Sequence, residues 1–194
     1  MELLTLVRRG RRLRTIGIDD GPFTRGQRRP VLVVGAVYSA AQFEGLVATS
    51  VRGDGYNATE RLIRMIGGSK FHAQLHLVML DGITLGGFNV VDLPRLAEEL
   101  GLPCVAVMRR EPDQDAVTRA LSHLPRSRWR RAVMDRAGPI HAAGPLCFQV
   151  AGGDPEAARQ ALLASMVQGH VPECLRAAHI IASGIITGES ARRA

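Results

Sequence analysis

Apolar residues in this chain fall into short runs whose spacing changes along its length. Between residues 12 and 52 the runs are rich in β-branched residues and are cut by Gly, Pro and Asp. This pattern predicts three consecutive strands at 12–19, 30–38 and 46–52, with Pro30 to Tyr38 the clearest. Leu62, Ile63 and Ile66 recur at helical spacing and predict a helix over 58–67, followed by a strand ending at Asp81. A helix near 92–100, a short strand over 103–108 and a helix near 114–123 follow. From Trp129 to Gly144 no single period holds, which leaves a hairpin or an irregular insertion. Leu146 to Val150 reads as a strand, Asp154 and Pro155 as the start of a helix through 167, and a last helix runs from Pro172 to about Ser183. Residues 188–194 read as a frayed tail.

Strands joined by short loops form an antiparallel meander, whereas strand–helix–strand units add parallel strands through right-handed crossovers. The element order therefore predicts an α/β protein of ribonuclease H-like type. Its mixed sheet would be a three-strand antiparallel meander followed by parallel strands, flanked by helices. At 194 residues and 46% hydrophobic content the chain can bury one core, so a single domain over 1–194 is expected, with a basic segment at 1–14. In such a sheet the first strand and the first strand after the meander lie side by side.

Those two strands are the ones that end in carboxylates. Thr15-Ile16-Gly17-Ile18 runs into Asp19 and Asp20, and Leu75 to Leu80 runs into Asp81-Gly82. Strand side chains alternate, so one of Asp19 and Asp20 shares a face with the apolar positions, where a carboxylate is costly unless it is paired or holds a cation. Glu60 opens the helix between the two strands, and Asp19, Glu60 and Asp81 can converge on one end of the sheet. Hard oxygen ligands of this kind suit magnesium or manganese. Asp20 and Asp154 are further candidate ligands, although Asp20 equally suits a turn and Asp154 a helix cap.

Composition adds a polyanionic partner. The net charge is +7, and Lys70 is the only lysine among 25 basic residues. Arginine grips phosphate with a planar fork. One cluster (Arg8, Arg9, Arg11, Arg12, Arg14) precedes the first aspartate strand. A second (Arg126, Arg128, Arg130, Arg131) surrounds Trp129, the one tryptophan. Basic residues interleaved with an aromatic fit phosphate contact and base stacking, or else a solvated face with a packed Trp. Cys104, Cys147 and Cys174 are isolated and apolar-flanked, which fits buried thiols in a reducing compartment. The six histidines show no zinc spacing. No apolar run is long enough to span a bilayer and the first residues do not read as a signal peptide, so a cytoplasmic protein without membrane contact is expected.

Gly17-Ile18-Asp19-Asp20-Gly21-Pro22-Phe23, Leu80-Asp81-Gly82 through Asp92, and Pro172-Glu173-Cys174-Leu175-Arg176-Ala177-Ala178-His179 together resemble the endonuclease dU family, a largely archaeal group similar to endonuclease V. The resemblance covers nearly the whole chain. It implies metal-dependent cleavage of DNA, or of RNA, near a deaminated base, uracil or hypoxanthine, as in nucleic-acid repair. It implies catalytic roles for Asp19, Glu60 and Asp81 on Mg²⁺ or Mn²⁺. Candidate nucleic-acid contacts are Arg12, Arg14, Tyr56, Gly82, Arg128, Trp129, Arg130 and Arg176. The chain lacks the Gly-His-Arg segment of endonuclease V and its Pro- and Tyr-rich wedge, with Tyr56 the one aromatic in the wedge region. His179 reads as a partly buried histidine. A non-catalytic nucleic-acid-binding protein and a small-molecule metal phosphoesterase are the rival readings, and monomer or homodimer stays open.

Overall fold

Period-two alternation places the core, and the direction of the strands places the site. The structure, a computed structural model, describes residues 3–24 and 30–190. A short helix α1 (Leu3–Arg8) precedes strand β1 (Arg14–Asp20), so the basic N-terminal segment is part helix, with Leu3 and Leu6 buried. Strands β2 (Val31–Ser39) and β3 (Gln42–Val51) complete an antiparallel meander, Gly17 pairing with Ala36 and Ala36 with Leu46. Helix α2 (Ala58–Gly67) leads to β4 (Leu77–Asp81), which lies parallel to β1 with Ile18 against Leu80. A small hairpin, β5 (Thr84–Leu85) and β6 (Asn89–Val90), then precedes helix α3 (Leu93–Leu100). Strand β7 (Cys104–Met108) adds in parallel to β4, Asp81 against Val107.

The remainder departs from simple parallel addition. Helices α4 (Gln114–Ser122) and α5 (Ser127–Asp135) carry the chain to β8 (His141–Ala143), an edge strand. β9 (Leu146–Ala151) then turns back antiparallel into the gap between β8 and β7, giving the order β3-β2-β1-β4-β7-β9-β8. Gly144, with φ at 60°, supplies a left-handed position in that tight turn. The stretch from Trp129 is thus a helix followed by an edge strand rather than a hairpin or an insertion. Its basic face hid the apolar period, since α5 buries only Arg130 and Val133. Helices α6 (Pro155–Ala164) and α7 (Glu173–Thr187) close the fold. Of the tail expected to fray from 188, residues 191–194 lie outside the described residues.

Two apolar layers sandwich the sheet. On one face Ile16, Ile18, Val78, Leu80 and Ala106 meet Leu62 of α2 and Leu93 and Leu96 of α3. On the other, Leu77, Met79, Val105, Val107 and Phe148 meet α1, α6 and the first turn of α7. Helix α7 lies directly on β1. A Cβ at Gly17 would stand 2.3 Å from the Cys174 carbonyl carbon, so only glycine permits this approach. Because β1, β3, β4 and β7 point the same way, their carboxyl ends share one edge, the edge at which open α/β sheets hold their ligands.

Candidate metal centre

The register of β1 and β4 runs Thr15 to Ile18 against Leu77 to Leu80, and one step further it sets Asp19 beside Asp81. Both fall on the α7 face by alternation. The close seat of α7 on Gly17 brings His179 over the same point, its Nδ1 2.8 Å from Asp19 Oδ2. One ligand atom each from Asp19, Asp81 and His179 lies within 4.8 Å of the others. Asp19 is 6% exposed. Its other oxygen, Oδ1, accepts from the Asp20 backbone N–H at 2.8 Å.

Two carboxyl groups so placed repel each other and lose hydration together. Burial first, and then the charge of Asp81, push the Asp19 carboxyl up to about 7, against the opposing pull of its His179 contact. Burial also raises Asp81, with Arg109 and His179 drawing it back. Arg109 stands one residue past β7, on the same face as Val107 and hence as Asp81, and makes no ion pair among the described residues. Two carboxylates, one buried and one half-buried, with an imidazole beside them and no cation in contact form a donor set that could hold a divalent ion.

The other sequence candidates are placed as follows. Glu60 is not brought to this cluster. It opens α2 on the opposite face of the sheet and pairs with Arg64 at 2.9 Å and Arg95 at 3.0 Å. Leu62 and Ile66 fix how α2 rolls onto the sheet, and that roll points Glu60 at α3. Asp20 faces away from Asp19 and accepts the Gly86 N–H at 3.1 Å, tying down the loop after Asp81. Asp154 is at the wrong edge. β9 is antiparallel, with Ala151 against Cys104, so Asp154 lies beyond the amino ends of the parallel strands and caps α6 through Ala157 N–H.

Arg12 and Arg14 sit at that same far edge, at the amino end of β1, where Arg14 is bound to Glu44 and Gln74. Arg176, one turn before His179, is held by Glu173 at 2.6 Å. Gly82 opens the loop after β4 at φ 84° with nothing crowding its α-carbon. Tyr56, Trp129 and Arg130 come together from distant parts of the chain, and the Tyr56 and Trp129 rings meet edge to face at 5.3 Å. Arg128 and Trp129 are exposed, but Arg130 is fully buried and its donors are spent on backbone carbonyls, which removes it from direct contact with a nucleic acid. His179 and Arg109 are the residues that sequence reasoning did not place in the site. Arg109 had a signal, a charged residue just beyond the carboxyl end of a parallel strand.

The sheet order, the carboxylate pair and the closing helix define a ribonuclease H-like α/β protein. The fold is similar to that of Ciona intestinalis endonuclease V, solved with a DNA containing an inosine, at a TM-score of 0.55 and 11% identity over 91% of each chain. Within that class the chain belongs to the endonuclease dU family, whose model it matches over residues 11–186. It is 46% identical to a UPF0215 protein of Methanothermobacter thermautotrophicus, over 92% of this chain and 90% of that one. A crystal structure of an Archaeoglobus fulgidus protein of unknown function is similar at a TM-score of 0.85 and 41% identity, over 91% of this chain and 99% of that one. Family and fold together support a nuclease. Among the described residues no helix is long and apolar enough to cross a membrane.

Proposed function

We propose that this protein is a metal-dependent endonuclease that hydrolyses a phosphodiester bond near a deaminated base, uracil or hypoxanthine, in DNA or RNA, and so serves nucleic-acid repair. The observation that carries this reading is the side-by-side placement of Asp19 and Asp81 at the carboxyl edge of the sheet, with His179 closing over them. Asp19, Asp81 and His179 would hold Mg²⁺ or Mn²⁺, which supplies a Lewis acid for the phosphate and lowers the pKa of a bound water. Glu60 stands outside that set.

The chain's own residues divide the remaining work. His179 Nδ1, 2.8 Å from Asp19 Oδ2, orients that carboxylate at the reacting edge. Arg109 offers a guanidinium to a phosphate oxygen on the Asp81 side. The Gly82–Phe88 loop has positive φ at Gly82, Gly86 and Gly87 and is anchored by Asp20 at Gly86. Gly86 and Gly87 are packed against Val31, Val51 and Asp54, whereas Gly82 faces open space, so room for an extruded base beside the carboxylates lies at Gly82.

The test is nicking of labelled oligonucleotides carrying one uracil or one hypoxanthine, with Mg²⁺ or Mn²⁺, by the wild type and by Asp81→Ala. Lesion-dependent nicking that needs metal and drops by roughly a thousandfold or more in the variant is expected. Tight binding by the wild type without nicking under either metal would reject the nuclease.

A further inference from the structure

The most unusual group outside the carboxylate centre is Arg130. Its guanidinium is 0% exposed, yet no carboxylate oxygen pairs with it among the described residues. Instead it donates to four main-chain carbonyls: Pro125 at 3.2 Å, Gly55 at 3.0 Å, Asp54 at 2.5 Å, and Phe88. A rigid fork of five donors suits this pattern, and a lysine cannot reproduce it. The carbonyls come from the loop after β3, from the loop after β4 and from the start of α5, so one side chain gathers three segments.

Further bonds lock two of these segments to each other. Asp54 Oδ1 accepts from Phe88 N–H at 2.8 Å, and Asp54 N–H donates to the Gly86 carbonyl at 2.8 Å. Buried Asn89 donates to the Arg52 carbonyl and to Asn57, and accepts from Ala58 N–H. Two of the three non-glycine residues with positive φ among the described residues, Asp54 and Arg126, lie here. Such strain persists only where surroundings impose it.

This scaffold presents aromatic rings. Arg130 lies 4.4 Å from the centroid of the Tyr56 ring and Arg126 5.3 Å from it, and the Tyr56 hydroxyl is tied to the Pro125 carbonyl at 3.0 Å. Tyr56 is therefore fixed at several points and is not free to swing. Trp129 packs edge to face against it and remains 42% exposed. Arg126 and Arg128 precede Trp129 in the same first turn of α5, both exposed and neither in an ion pair among the described residues. A large exposed indole packed against a fixed ring, with exposed cations without ion pairs close by in the chain, is complementary to a base and its phosphates rather than to an apolar partner. The loops after β3 and β4 leave from the carboxyl edge of the sheet, so this surface and the Asp19–Asp81 pair open on the same edge.

We infer that Trp129, backed by Tyr56 and with Arg126 and Arg128 on the same helix turn, stacks an unpaired base of the nucleic-acid strand at a position separate from the metal centre. The inference rests on the nuclease reading only for the identity of the ligand class, a nucleic acid. Trp129 is the chain's one tryptophan, so its fluorescence reports on the site directly. The experiment titrates the protein in EDTA with a short single-stranded oligonucleotide and with an abasic strand of equal phosphate number, following Trp fluorescence and, separately, the anisotropy of a label on the strand.

Base-dependent quenching is expected, absent with the abasic strand. Trp129→Ala is expected to weaken binding roughly 5- to 100-fold by anisotropy, and Trp129→Phe to restore most of it. Binding without quenching, equal quenching by both strands, or a Trp129→Ala affinity equal to that of the wild type would each overturn the inference. Cleavage by the wild type with no Trp response would defeat the stacking site alone. A Trp response without cleavage would defeat the nuclease alone.

Discussion

Asp19 stores an electrostatic cost that its pH response exposes. Its carboxyl titrates near 7 in the folded protein, held up by burial and by Asp81, against about 3.9 in an unfolded chain. Between those values the folded state keeps a proton that the unfolded state has released. Stability is therefore greatest below the unfolded value and falls as pH rises through the folded one. Without metal, the denaturation midpoint of the wild type should fall between about pH 4 and about pH 8. Asp19→Asn removes the charge and should flatten that fall, leaving the variant more stable than the wild type above about pH 7 by on the order of a few kcal/mol. Added Mg²⁺ should raise the wild-type midpoint and leave the variant's unmoved. Parallel pH profiles for the two proteins would contradict this account. The same residue marks what the sequence could show: Asp19 and Asp81 were legible because each ends an apolar strand, where period two fixes the face. Glu60 was expected beside them and is found elsewhere, since a residue's direction on a helix depends on how the helix rolls, and Arg95 was an unseen competitor. His179 meets Asp19 across 160 residues of chain, and no local pattern encodes that contact.

At the scale of elements, the contact between β1 and α7 assembles the centre. The backbone of Cys174 and Leu175 occupies the space a Gly17 side chain would need, 2.3 to 2.5 Å from where its Cβ would stand. Main chain cannot step aside as a flexible side chain can, so Gly17→Ala must push the helix off the strand. We expect a loss of about 3 kcal/mol or more in denaturant unfolding, at the upper end for overpacking. We also expect weaker metal-induced stabilisation in whatever fraction folds, because His179 moves with the helix. The equivalent change at Gly82, where nothing crowds the α-carbon, should cost only the positive-φ strain. Most strands and helices were readable from spacing alone, including the meander and the Asp154 cap. Helix α5 was not, because its one fully enclosed side chain is an arginine, and a charged residue counts against burial in any hydrophobic period. The crossover after β7 lands on β8, and β9 fills the space between them by a hairpin, which element order alone does not distinguish from a further parallel strand.

For the whole molecule, the direction of the sheet decides which of the many arginines matter. The net charge of +7 draws polyanions to the entire surface, a contribution that weakens steeply with salt and carries no selectivity for one edge. Catalysis is expected at the carboxyl edge alone. Arg109 lies there, exposed, acting on Asp81 and free of ion pairs among the described residues. Arg14 lies at the amino edge, gripping Glu44 with two bonds and Gln74 with a third. The two substitutions should therefore separate. Arg109→Ala should leave stability within about 0.5 kcal/mol, as expected of an exposed side chain without partners. It should lower kcat/KM roughly a hundredfold, as the loss of a charged group facing the reacting phosphate does. Arg14→Ala should cost up to about 1 kcal/mol of stability from its partly exposed pair and leave kcat/KM unchanged at moderate salt. Both should make the salt dependence of binding shallower if both touch phosphate, but only Arg109→Ala should if the strand follows the carboxyl edge. Measuring binding against salt and turnover for the two variants side by side checks the point, and equal losses of turnover would place the strand across both edges of the sheet.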